Sequence, residues 1–136
     1  MSKVIGIDYG KKRIGIAISD IDQKIAFPLI TVENNKPIEI LKKIIESEKV
    51  SSIVVGVPVN LDGSNTDATE MCFKFHLKLK KEFPKINHFV EDERLTSKLA
   101  KRFIYKSHKK KQRVNKKNVD MISASIILEN FLIGLN

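Results

Sequence analysis

Three groups of acidic residues stand where an acid is costly or conspicuous. Asp8 closes the apolar run Val4-Ile5-Gly6-Ile7, which is long enough for one buried strand, and Tyr9-Gly10 follows it. A carboxylate there needs a positive partner or a set of donors. A divalent cation serving phosphate chemistry is one such partner; an Asp capping a tight turn through its own backbone is the other reading. Asp120 lies near the start of a helical pattern, on the stripe Asp120, Ala124, Ile127, Phe131, and so is directed inward. A first-turn Asp also complements the helix dipole, worth roughly 0.3–1 kcal/mol. Glu91-Asp92-Glu93 comes straight after the apolar run Ile86–Val90, with Arg94 next; it reads either as a solvated loop or as part of a site. If these acids converge, their repulsion raises their pKa values unless a cation joins them. Mg²⁺ or Mn²⁺ suits such an all-oxygen set. One or two such ions, about 4 Å apart when paired, support in-line hydrolysis of a phosphodiester by an activated water.

The second set with chemical character is basic. Lys and Arg number 25 against 16 Asp and Glu, a net charge of +9, which favours polyanionic partners. A chain rich in Lys, Ile and Asn is basic by usage alone, so placement decides. The segment Lys106–Lys117 carries seven Lys or Arg in twelve residues with almost nothing apolar, and reads as a mobile loop just ahead of Asp120. Lys11, Lys12 and Arg13 follow Asp8 at the first turn. His76, His88 and His108 show no metal-ligand spacing.

The elements that must carry these groups follow from patterning. The 136 residues are expected to form a single domain over 1–136, with an aliphatic core, since 42% of residues are apolar and Trp is absent. Val4–Asp8 predicts one strand. Arg13–Ser19 alternates Ile14, Ile16, Ile18 with Gly15, Ala17, Ser19 and predicts a second, antiparallel to the first across Gly10-Lys11-Lys12. Its small face would admit another backbone close to Asp8. Ile25–Thr31 is a third strand, Pro28 marking an edge or a bulge. Pro37 opens a helix ending near Lys49, and Ser52–Val57 is a strand covered on both faces, ended by Pro58. Asn60–Asn65 is turn-rich; Ala68, Cys72, Phe75, Leu79 and Phe83 then stripe a long helix, with Cys72 a small core residue. Ile86–Val90 is a fifth strand, Leu95-Thr96 opens a helix with Leu99, Ala100, Phe103 and Ile104, and a well-buried helix runs from about Asn118 to Leu132. This order predicts an α/β fold, a mixed sheet between helices. One Cys excludes an internal disulfide and fits a reducing, cytoplasmic setting. No continuous apolar run reaches the ~20 residues of a membrane span.

Four pieces in register carry a resemblance. Gly6-Ile7-Asp8-Tyr9-Gly10 with Arg13-Ile14-Gly15, Val55-Gly56-Val57-Pro58-Val59-Asn60-Leu61-Asp62-Gly63-Ser64, Asp92-Glu93-Arg94-Leu95-Thr96-Ser97, and Asp120 with Ile126-Ile127-Leu128 together resemble the YqgF family. Its members are also called Holliday-junction-resolvase-like proteins, or candidate pre-16S rRNA nucleases, and the likeness spans essentially the whole chain. It implies a ribonuclease-H-like three-layer α/β/α fold with a five-stranded mixed sheet. It implies a Mg²⁺- or Mn²⁺-dependent hydrolase of ester bonds that matures the 5′ end of precursor 16S rRNA during ribosome biogenesis in the cytoplasm. By the family pattern the catalytic and metal-holding acids are Asp8, Glu93 and Asp120; Glu93 ranks above Asp92 on that pattern only. The nucleic-acid contacts fall to Lys11, Lys12, Arg13, Arg94, Lys109, Lys110, Lys111, Arg113, Lys116 and Lys117. Ser123 and Ser125 depart from the small apolar residues usual in that helix, and Val57 from a commoner Leu.

Three alternatives stay open. The substrate is precursor rRNA by preference, but branched DNA fits a Holliday junction resolvase. A non-catalytic nucleic-acid-binding module would keep the fold and the basic segment. A sugar-kinase-like ATPase, suggested by the Asp8-Tyr9-Gly10 turn, needs two such domains and more chain than this. A homodimer is left open; no membrane partner is expected.

Overall fold

The computed structural model describes residues 2–60, 62–92 and 116–135. Five strands form one sheet: β1 (Lys3–Tyr9), β2 (Arg13–Ser19), β3 (Ala26–Glu33), β4 (Val50–Val57) and β5 (Asn87–Asp92), in the order β3-β2-β1-β4-β5. β1, β2 and β3 pair antiparallel, whereas β4 runs parallel to β1 and β5 parallel to β4. The helices are α1 (Pro37–Glu48), α2 (Asp67–Glu82) and α3 (Lys116–Leu135).

The alternation of β1, β2 and β4 divides the core. Ile5, Ile7, Ile14, Ile16, Ile53 and Val55 pack on one face of the sheet with Leu41 of α1 and Cys72, Phe75 and Leu79 of α2. Val4, Ala17 and Val54 pack on the other with Ala124, Ile127, Leu128, Phe131 and Leu132 of α3. The result is the expected three-layer α/β/α arrangement.

Pro28 behaves as its chemistry requires. β3 is an edge strand, and the β2–β3 register shifts between Ile16 and Ala17, the residue opposite Pro28. The missing N–H therefore falls at an irregularity on an outer strand. Pro37 stands at the first turn of α1, and Lys49 ends that helix in a left-handed conformation with φ of 55°.

Several boundaries differ from the sequence reading. β3 runs from Ala26 to Glu33 rather than Ile25 to Thr31. β5 runs from Asn87 to Asp92, so Glu91 and Asp92 lie in the strand rather than after it, paired with Gly56 and Val57. α2 buries Thr69 where the pattern pointed to Ala68. Thr66 and Thr69 cap each other's backbone N–H, and the Thr69 hydroxyl donates to the Pro58 carbonyl. α3 begins at Lys116, which brings Lys116 and Lys117 into the helix instead of the preceding loop. It is not buried all round: Ile133 and Leu135 are exposed. By length and composition only, Asn118–Leu135 is long and apolar enough to cross a membrane, although Asp120, Ser123, Ser125 and Glu129 interrupt it; here its apolar face covers the sheet. The expected helix from Leu95 and the loop from Lys106 to Asn115 lie outside the described residues.

Candidate active site

β1, β4 and β5 are parallel, so their carboxyl ends share one edge of the sheet. Asp8, the turn after Pro58 and the acidic Glu91-Asp92 pair all emerge there. Ligand sites of open α/β sheets collect in the crevice outside the carboxyl ends of the parallel strands.

What brings Asp120 to this edge is the small face of β2. Asp8 lies directly opposite Gly15 in the β1–β2 ladder. A Cβ at Gly15 would come within 2.0 Å of the Asp120 carbonyl oxygen and 2.8 Å of the Met121 nitrogen. A Cβ at Gly6 would stand 2.7 Å from Leu128 Cβ and 2.9 Å from the Ala124 carbonyl oxygen. Glycine at both positions therefore lets the α3 backbone lie almost on the strands. The helix start is pressed against β2, beside Asp8.

The electrostatics follow. Burial pushes the Asp8 carboxyl up to about 7, and the neighbouring charge of Asp120 adds to the shift. Asp120 has a partner: Arg13 Nε donates to Asp120 Oδ2 at 3.0 Å, with both side chains about one-quarter to one-third exposed. Among the described residues Asp8 has no ion-pair partner. Glu91 is also pushed upward, by burial and then by Asp92.

Of the acids singled out in the sequence, Asp8 and Asp120 come together. Glu93 lies outside the described residues, and no group of three His, Cys, Asp or Glu that could hold a metal ion occurs among those described. Alternation along β5 separates its two acids. Glu91 lies opposite Gly56 on the α3 side, with Phe89, whose ring packs on Phe131; Asp92 lies opposite Val57, on the side of α1 and α2. Asp92 is thus on the far face of the sheet from Asp8.

Among the basic residues, Lys11 and Lys12 are exposed at the β1–β2 turn. Asn34 pins that turn, its Nδ2 donating to the Gly10 carbonyl at 2.8 Å and its backbone N–H to the Lys12 carbonyl at 2.9 Å. Arg94, Lys109, Lys110, Lys111 and Arg113 lie outside the described residues, and Lys116 and Lys117 enter as backbone of the first turn of α3. The Arg13–Asp120 pair, 107 residues apart in sequence, is a feature that sequence reasoning missed. The alternation that places residues 13 and 15 on one face was the available signal.

His76 and His88 approach with ring centroids 6.3 Å apart, and His88 Nε2 meets the Phe83 carbonyl at 2.8 Å. Cys72 is buried in the core, as expected.

A mixed five-stranded sheet with an acid pair at the carboxyl ends of its parallel strands is the frame of a ribonuclease-H-like protein. Residues 2–133 match the family model described as RuvX, Holliday junction resolvase, and the chain belongs to that family. A protein of Amoebophilus asiaticus named "Putative pre-16S rRNA nuclease" is 41% identical over 133 residues, 97% of this chain and 94% of its own length. One of the same name from Rickettsia akari is 41% identical over 134 residues, 96% of this chain and 86% of its own. Among solved structures, Thermus thermophilus RuvC in complex with a Holliday junction substrate superposes with a TM-score of 0.60 at 12% identity, covering 99% of this chain and 96% of that one. That likeness bears on the fold.

Proposed function

We propose that this chain is a divalent-metal-dependent nuclease that hydrolyses phosphodiesters of structured nucleic acid, with the 5′ end of precursor 16S rRNA in the cytoplasm as the favoured substrate. The observation that carries this is the meeting of Asp8 and Asp120, from opposite ends of the chain, at the carboxyl edge of the parallel strands.

Two carboxylates forced together, one with its pKa raised by burial, fit a hard divalent cation: all-oxygen donors and excess negative charge that a cation would relieve. Asp8 and Asp120 would hold Mg²⁺ or Mn²⁺, and Glu93 is proposed as the third acid. The position of Asp92 on the opposite face supports Glu93 over Asp92. When bound, the metal supplies Lewis-acid activation of water and stabilisation of the leaving oxygen. The protein supplies the rest. Asp8 gives up a proton to take its place in the site, Asp120 is held by Arg13, and the backbone approach at Gly15 fixes the spacing between the two acids.

Lys11 and Lys12, with Arg13 beside them, are proposed to meet substrate phosphates next to the cleavage point. Arg94, Lys109, Lys110, Lys111, Arg113, Lys116 and Lys117 extend that interaction along the strand. The names of the close relatives support the rRNA reading. A second reading, cleavage of branched DNA, is favoured by the family's description as a Holliday junction resolvase. The test is purified protein with Mn²⁺ and matched precursor-rRNA and four-way DNA substrates. Cutting of the RNA that is lost in Asp8→Asn is expected; cutting of DNA alone selects the second reading, and cutting of neither rejects the enzyme.

A further inference from the structure

Arg13 opens β2 two residues before Gly15, on the same face of the strand. Both partners in its ion pair are anchored by backbone. On the Arg13 side, a Cβ at Gly10 would come 2.7 Å from the Arg13 carbonyl oxygen, so the β1–β2 turn is closed directly against Arg13. Arg13 is also paired across to Glu33 of β3. On the other side, the Asp120 backbone is pressed onto Gly15. The guanidinium and the carboxylate thus start from fixed points, and their hydrogen bond joins one nitrogen, Nε, to one oxygen, Oδ2, at 3.0 Å.

A bidentate fork would engage both carboxylate oxygens. Among the described residues this single Nε hydrogen bond leaves Asp120 Oδ1 for another ligand while fixing the rotation of the carboxylate. Outer partners that orient a ligating carboxylate in this way strengthen metal binding, and removing them weakens it by about 10–100-fold. We infer that Arg13 is a positioning residue for the cation: it grips Asp120 by one oxygen and presents the other to the ion shared with Asp8. This rests on the reading of Asp8 and Asp120 as metal ligands, and it gives Arg13 a task that Lys11 and Lys12, both exposed at the turn, do not share.

The opposite possibility is concrete. Were Arg13 a stand-in for the cation, it would compete for Asp120, and its removal would tighten metal binding. The sign of one effect separates the two. Mn²⁺ affinity is measured by calorimetry on the full chain for wild type, Arg13→Gln, Arg13→Lys and Asp120→Asn. Arg13→Gln is expected to weaken Mn²⁺ binding about 10-fold or more, with Arg13→Lys recovering part of the loss because it restores the charge without the planar fork. Unchanged or tighter binding by Arg13→Gln overturns the inference. If wild type binds Mn²⁺ and Asp120→Asn does not, the metal reading stands whatever Arg13 does; if wild type binds none, that reading falls and this inference falls with it. A measurement free of any variant is the Mn²⁺-loaded crystal structure, in which the Arg13 Nε–Asp120 Oδ2 hydrogen bond persists; a bond broken on loading overturns the positioning role.

Discussion

At Asp8 the proposed role in metal binding and the stability of the fold pull against each other. Its pKa is raised in the folded protein, so between about pH 4 and pH 7 the native state binds more protons than the unfolded chain. Stability of the metal-free protein attributable to this group is therefore full below pH 4 and is lost as the pH rises through about 7. Asp8→Asn removes the charge and should flatten that dependence. In chelator at pH 7.5 it is expected to raise Tm by at least about 3 °C while abolishing cleavage. Thermal melts from pH 4 to pH 8 check this; a variant that melts lower than wild type at every pH would show that the Asp8 carboxylate stabilises the fold.

At the scale of elements, α3 and β2 act as one unit. Gly15→Ala would drive a Cβ into the Asp120 carbonyl oxygen and the Met121 nitrogen, both of them backbone, so the helix must lift. The expected result is a loss of about 1–3 kcal/mol or more by urea denaturation, with cleavage impaired further because Asp120 moves with the helix. Wild-type activity in Gly15→Ala would separate helix placement from the site. Ser123, on the buried face of α3, is fully buried, and its hydroxyl meets no partner among the described residues. Ser123→Ala is expected to stabilise the protein by about 1 kcal/mol with cleavage intact, measured the same way.

The β1–β2 hairpin and its small face were legible in the sequence because side-chain alternation is local, and that face of Gly15, Ala17 and Ser19 already pointed to a close neighbour beside Asp8; the register that sets Gly15 opposite Asp8 came with the structure. The ends of β5 and α3 were not. Glu91 and Asp92 look like loop residues, yet backbone pairing with Gly56 and Val57 extends the strand regardless of polarity. Lys116 and Lys117 look like the end of a basic run, yet they begin the helix. Thr69 takes the buried side of α2 in place of Ala68 because its hydroxyl serves both the cap and Pro58. The Arg13–Asp120 pair joins residues that no local window contains.

For the whole molecule, the charge of +9 sets how a polyanion is met. Affinity for nucleic acid should fall steeply with salt. Replacing Lys11 and Lys12 with Ala should reduce the slope of log K against log salt by about 1 for each lysine that meets a phosphate, and replacing Lys109, Lys110 and Lys111 should do likewise. Fluorescence anisotropy across a salt series measures it. An unchanged slope in the Lys11 and Lys12 variant would place the substrate away from the Asp8 edge of the sheet.

The proposed activity depends on the two acids that β1 and α3 bring together. Crystals soaked in Mn²⁺, with data collected at the manganese absorption edge, test this most directly. The expected map holds an anomalous peak about 2.0–2.2 Å from carboxylate oxygens of both Asp8 and Asp120. A fully soaked crystal with no peak there, or with a peak on only one of the two, would contradict it.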